Sequence, residues 1–404
     1  MNKILQITLG IVTSIGGFLG AGAIATAAEA GSVFGFQLIW AILLGAICVI
    51  FLVEMSGRMA AVSKHTLASA IRERFGFNYF VIPLCGEIVV DFLGLAVEIG
   101  GVSIALQLLT GISFQWFALP VAMVIWLVLW KGNLGIISND VSLLGLITLT
   151  FVFATFKLHP ELTQIGSGLL PTLPHSNTAH YLYIAVSILG ASIGPHLFYF
   201  YSSTVVEDQW DEKNIGANRA IASLGMGFGN IVSLGVLIVA AMVLHPKGIQ
   251  VDNYLQAALM LTQPFGYWGF VLFAASLGIG CFGAALEASL SFTYIVAQAL
   301  GWNWGENLKP KEAARFSFVY TVFVFLASLL MVVGIDPLKL TLFTMAITVL
   351  ILPPAIVPLL VLMNDQHYVG KYRNAWISNS VIIFTIALSF VLAIIAIPLE
   401  ILGG

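Results

Sequence analysis

The sequence predicts an all-α membrane protein with eleven transmembrane helices, set as two inverted five-helix halves that each open on a broken helix. Three observations lead there. Of 404 residues, 59% are hydrophobic and 9% charged, with a mean hydropathy of +1.01, too little charge for a soluble domain. Apolar stretches of roughly 20 residues, the length that crosses a bilayer core, recur eleven times. Two of these stretches, the first and the sixth, carry glycine clusters in mid-span.

The stretches lie near residues 4–27, 34–57, 79–108, 115–131, 135–157, 180–203, 221–245, 266–300, 314–335, 339–363 and 374–399. They leave no room for a separate soluble domain. No small-residue cleavage pattern follows the first stretch, so no removable signal peptide is expected. In the first span, Gly16, Gly17, Gly20 and Gly22 each cost about 1 kcal/mol of helix propensity relative to alanine. Unwound backbone at membrane depth persists only where protein buries it or a watery cavity satisfies it. Close helix packing through small residues accounts for the same glycines equally well. The second span ends on Glu54 and Arg58, four residues apart, which predicts an ordinary pair along one helix face. In the third, Glu87, Asp91 and Glu98 fall on one face at 3.6 residues per turn. That stripe could carry protons or a cation, or bond to neighbouring helices as neutral acids.

The sixth span, "VSILGASIGPHLFYFYS", places Gly190, Gly194 and Pro195 at its middle, and proline removes a backbone donor and crowds the preceding turn. Ser187-Ile188 before these glycines echoes Ser14-Ile15 before the first cluster, five spans earlier. Interrupted spans at matching positions in two halves point to a transporter built from inverted repeats, with its site where the breaks meet near the midplane. The expected units are residues 1–160, residues 161–365 and an added eleventh helix over 366–404. In the seventh span "GMGFGN" has no strand beside it, so it is not a nucleotide fingerprint. The eighth holds Glu287 among small residues.

Thirteen of the sixteen Lys and Arg residues fall on one side of this eleven-span scheme, and Lys157, Lys247 and Lys339 on the other. The positive-inside rule then puts the N-terminus in the cytoplasm and the C-terminus outside, in a membrane expected to be a bacterial inner membrane. Cys48, Cys85 and Cys281 lie in apolar runs without metal-ligand spacing and read as small core residues. His159, His175, His180 and His245 collect toward the outer loops, irregularly spaced. Ionisable groups inside spans are costly and mark pathways. Glu29, Glu54, Glu87, Asp91, Glu98, Glu287 and His196 are the candidates, and no Lys or Arg lies deep in any span.

Several stretches resemble the NRAMP family of proton-coupled divalent metal transporters, which share a five-plus-five inverted repeat with LeuT. "GASIGPHLFYFYS" is similar to that family's sixth helix and "EIGGVSIALQLLTGI" to its third. "GSGLLPTLP" resembles the extended segment before helix six, "AGSVFGFQLIW" the entry to helix two, and "LPPAIVPLL" with Asp365 and Gly370 the end of helix ten. The resemblance implies a substrate site at Gly20, Ala21, Gly22, Ala23, Gly194, His196 and Met345, and a proton role for Glu98. Asp91, Glu87 and Glu29 join the proton pathway as the remaining acids of the inner and outer spans. The departures fall on metal ligands. Where the family carries Asp-Pro-Gly-Asn in helix one, this chain has Gly20, Ala21, Gly22 and Ala23. Gly194 stands for the helix-six methionine, Leu95 for a helix-three aspartate and Met345 for a helix-ten glutamine. A divalent ion wants several oxygen, nitrogen or sulfur ligands, so binding in the family's manner is not expected and no metal ligand is assigned.

Three functions stay open from sequence. One is a proton-coupled cation transporter with an altered site. Another is a carrier of a small organic solute whose carboxylate would meet free N–H groups in the glycine-rich break. The third is a non-transporting, sensor-like homologue. No nucleophile–base pair, phosphate loop or zinc spacing points to an enzyme, and no cofactor or nucleic acid is implied. The expected partners are the lipid bilayer, protons, and a small cation or organic solute.

Overall fold

The computed structural model describes residues 20–131, 145–174, 177–305 and 308–403. Gly16, Gly17 and His175, together with the inner half of the first span and the start of the fifth, lie outside the described residues. Described residues are helical throughout the spans, with no strand among them. The spans are α1 (Ala21–Phe34), α2 (Ile39–Ser63), α3 (Phe77–Thr110), α4 (Gln115–Lys131), α5 (Leu149–Leu158), α6a (Thr178–Ser192) and α6b (Pro195–Glu207). They continue as α7 (Ile215–Val243), α8 (Tyr267–Leu300), α9 (Ala314–Val332), α10 (Pro337–Leu362) and α11 (Trp376–Gly403). Eight of these are long and apolar enough to cross a membrane when the two parts of the sixth are taken as one. The described parts of α1, α4 and α5 are shorter.

Local chemistry sets the helix ends. Asp336 caps α10 by accepting from the N–H groups of Leu338 at 2.9 Å and Lys339 at 3.0 Å, as short polar side chains do at helix starts. Gly111 closes α3 at φ 75°, its N–H bonded to the Gln107 carbonyl at 2.8 Å, a left-handed stop that glycine adopts without strain. Three prolines lie inside α10. Pro358 has no N–H for the Pro354 carbonyl, and Tyr79 of α3 donates to that oxygen at 3.0 Å instead. The prolines thus tie α10 to α3.

Among the described residues, two large apolar clusters account for most of the core, with a small third around Ala60, Trp210 and Ile221. The largest is built mainly from α1, α2, α6a, α6b, α7 and α10, and the second from α3, α4, α8 and α9. No pair of helices packs more extensively than α3 and α8. Large apolar side chains such as Trp116, Phe153 and Ile394 point outward, as they do when lipid rather than water surrounds the bundle. Cys48 and Cys281 are buried as the sequence suggested, whereas Cys85 is exposed on the lipid-facing side of α3.

The ends are tied differently. On the side expected to face the cytoplasm, Arg58 donates to Glu54 at 3.0 Å, to Asn374 at 2.9 Å and to the Tyr372 carbonyl at 2.8 Å. The helix over Leu67–Phe75 follows, and its Arg72 meets the last carbonyls of α8, Gln298 at 3.0 Å and Ala299 at 2.8 Å. On the opposite side Trp40 donates to the Tyr181 hydroxyl at 2.9 Å, and His245 bonds the Ser32 carbonyl at 2.9 Å.

Candidate functional site: a cavity between two broken helices

The sixth span is interrupted where the sequence places glycine and proline. α6a ends at Ser192, Ile193 leaves helical geometry, and Gly194 stands extended at φ −50°, ψ 127° before Pro195 opens α6b. Proline at the first helical position gives up an N–H that has no partner there anyway. The His196 ring folds back over Gly194, so tightly that a Cβ at Gly194 would meet its Nδ1 at 2.8 Å. Gly190, one turn before the break, lies against the Met345 carbonyl of α10 with no space for any side chain.

The first span shows the matching half of this arrangement. Gly20 is extended (φ −82°, ψ −175°) and α1 begins at Ala21. The first N–H groups of any helix lack an internal acceptor. Here the Ala21 N–H donates to both carboxylate oxygens of Glu98, at 3.1 and 3.0 Å. An acid from α3 therefore caps α1, where the helix dipole favours negative charge. A Cβ at Gly20 would fall inside the Glu98 carboxylate, and one at Gly22 would meet the Met345 sulfur at 2.8 Å. The Ala21 methyl turns away toward Gly101 of α3.

Between the start of α1 and the break in the sixth span lies a cavity lined by Gly20, Gly22 and Ala23 from the first span, Gly190, Ala191 and His196 of the sixth span, and Thr344, Met345 and Thr348 of α10. Val90, Asp91, Gly94 and Glu98 of α3 and Ala284, Glu287 and Ala288 of α8 complete the lining. It follows the seam between the two large apolar clusters and holds about 60 Å³ for the centres of water molecules. Among the described residues, no Lys or Arg lines it, and no three His, Cys, Asp or Glu side chains converge closely enough to hold an ion.

The cavity brings together Gly20, Gly22, Ala23, His196, Met345, Asp91 and Glu98. Ala21 contributes its N–H but not its side chain, and Gly194 lies at the break without lining the space. Glu87 is buried behind the lining, one turn from Asp91, with neither carboxylate oxygen bonded. Glu29 stands apart at the other end of α1, where it pairs with His180 at 3.3 Å. His180 belongs to the first turn of α6a rather than to a loop. Glu287, a mid-span acid that the sequence offered as a candidate without assigning it a role, also lines the cavity. Its signal in the sequence was the lack of any base deep in its span.

Comparison with known proteins accords with this architecture. Residues 10–398 match the sequence model of the Nramp family, described as natural resistance-associated macrophage protein-like. The "Divalent metal cation transporter MntH" of Deinococcus radiodurans is 26% identical, the alignment covering 98% of this chain and 89% of that protein. The protein of the same name from Listeria innocua is 27% identical over 91% of this chain and 85% of its own length. Among solved structures, a mutant of the manganese transporter of Eremococcus coleocola superposes with a TM-score of 0.81 at 17% identity, covering 97% of this chain and 85% of that one. MHP1, a nucleobase-cation-symport-1 family transporter, superposes with a TM-score of 0.65 at 17% identity over 97% and 90%. These likenesses show the fold, the LeuT-type arrangement of inverted five-helix halves with an interrupted sixth span. With a match spanning nearly the whole sequence and a bundle of the same build, the chain belongs to the Nramp family.

Proposed function

We propose that this chain is a secondary-active transporter of a small divalent cation, coupled to protons, in a bacterial inner membrane. The observation that carries the reading is the cavity itself, in which three carboxyls from α3 and α8 meet the start of α1 and the interrupted sixth span, with no Lys or Arg among the described residues that line it. Carboxylates held away from water demand a counter-charge or a proton. Relatives named as divalent metal cation transporters over most of their length support the same reading. The first helix supplies no side-chain ligand at Gly20, Ala21, Gly22 or Ala23, so the cation is held differently from the family's pattern.

An organic solute bound through its carboxylate fits less well. The N–H that would receive it, on Ala21, is already used by Glu98, and the remaining acids would repel it. In the proposed cycle Glu98 is the coupling group, since it joins α3 to the start of α1 and a proton on it weakens that tie. Flux into proteoliposomes tests the reading. We expect saturable Mg2+ or Mn2+ uptake accompanied by proton movement, with the coupled proton movement lost in Glu98→Gln. Uptake of an amino acid without cation flux, or inertness to both, would overturn it.

A further inference from the structure

We propose that Asp91 of α3 and Glu287 of α8, backed by Glu87, form a binding site for a hard divalent cation that keeps part of its water shell. The site is displaced from the junction of the start of α1 with the break in the sixth span and uses none of the positions that the resemblance assigns to metal. It rests on reading the cavity as a cation route.

Three observations carry it. Both Asp91 and Glu287 line the cavity, and the charge of Glu287 reaches Asp91. Asp91 is 3% exposed, and its Oδ2 has no hydrogen-bond partner among the described residues. Glu87, 1% exposed, lies one turn away on the same face of α3 with both carboxylate oxygens unpartnered. The Tyr199 hydroxyl of α6b, close enough to interact with Glu87, is also unpartnered.

Protonation alone does not settle this cluster. A neutral carboxyl still carries one donor and one acceptor that burial leaves costly unless met. Water meets such needs where there is room, and one water requires about 10–15 Å³ of the space open to its centre. The cavity offers about 60 Å³, enough for several waters or for an ion with some of them. The donor set selects among ions. Carboxylates with nearby threonine hydroxyls suit hard cations, and Mg2+ is commonly held by one or two carboxylates while keeping several waters. The two carboxylates on the cavity wall would leave the remaining coordination positions to water. The hydroxyls of Thr344 and Thr348 donate to the Leu340 and Thr344 carbonyls at 2.7 and 2.8 Å, which leaves their oxygen lone pairs as acceptors at the cavity wall. The soft sulfur of Met345 packs instead against Gly22.

The test is Mg2+ titration of the purified full-length protein by calorimetry, alongside its thermal unfolding with and without Mg2+. We expect the wild type to bind one Mg2+, Asp91→Asn and Glu287→Gln each to weaken binding at least tenfold, and the surface change Glu73→Gln to leave it unchanged. Asp91→Glu, which keeps the charge and oxygen donors, should bind within tenfold of wild type, separating ligand loss from misfolding. Absence of binding to the wild type, or wild-type affinity in folded Asp91→Asn and Glu287→Gln, would overturn the proposal. Its fate is separable from that of the transport reading. Cation flux with unaltered Mg2+ affinity in both variants refutes the site alone, whereas Asp91-dependent binding without any flux refutes transport alone.

Discussion

At Gly190 the backbone of α6a touches the carbonyl of Met345 without a side chain between them. Two backbones so close admit nothing bulkier than hydrogen, and overpacking of this kind typically costs about 1–3 kcal/mol. Gly190→Ala is expected to lower the thermal unfolding temperature in detergent and to reduce flux, while Gly227→Ala on α7, with open space around it, should do neither. Residue identity in the sequence exposed part of the site. Glu98 and His196 were legible because each adjoins a recognisable stretch, and Asp91 because its spacing from Glu98 put both on one face. Glu287 was legible as a mid-span acid but not as part of the cavity wall, since hydropathy says which residues are in the membrane but not which way a helix turns them. The pairing of Glu29 with His180 was hidden for a similar reason. The two lie 151 positions apart, and nothing local to either names its partner.

Among the elements, the interruption of the sixth span was written in Gly194-Pro195, because proline imposes its geometry wherever it falls. The first span was harder to read, because a glycine cluster serves close packing as well as unwinding. The structure shows both uses side by side. Gly22 accommodates Met345, while Gly20 stands extended as the cap of α1. The Glu54–Arg58 pair expected from spacing is present, but its reach was not foreseeable. Arg58, 5% exposed, also holds Asn374 and the Tyr372 carbonyl, and Arg219 of α7 approaches Glu54 at 3.5 Å. Removing one partner of a buried pair strands the other, at about 3–5 kcal/mol, whereas losing a helix cap costs about 1 kcal/mol. Thermal unfolding should therefore fall further for Arg58→Ala than for Asp336→Ala. Equal shifts would mean that water reaches Glu54 freely.

For the whole molecule, the apolar content and the count of spans followed from composition alone, since lipid leaves a polypeptide few ways to satisfy its backbone. The division into two large apolar clusters did not, because it depends on which helices meet. The uneven distribution of Lys and Arg makes a prediction at this scale. Reporter fusions should find the C-terminus outside and the loop carrying Arg72 and Arg74 inside. The opposite labelling would overturn the orientation drawn from Lys and Arg, and with it which end of the acid stripe on α3 faces the cytoplasm. From Glu87 to Glu98 that stripe rises about 16 Å at 1.5 Å per residue, roughly half the hydrocarbon thickness.

Converting this chain toward its relatives at position 20 requires moving Glu98. An aspartate grafted there would have to start from a Cβ placed inside the Glu98 carboxyl group, so the graft must displace Glu98 from Ala21. In this protein the acid at the start of the first helix is borrowed from a neighbour, and any redesign of its ion preference begins with returning the loan.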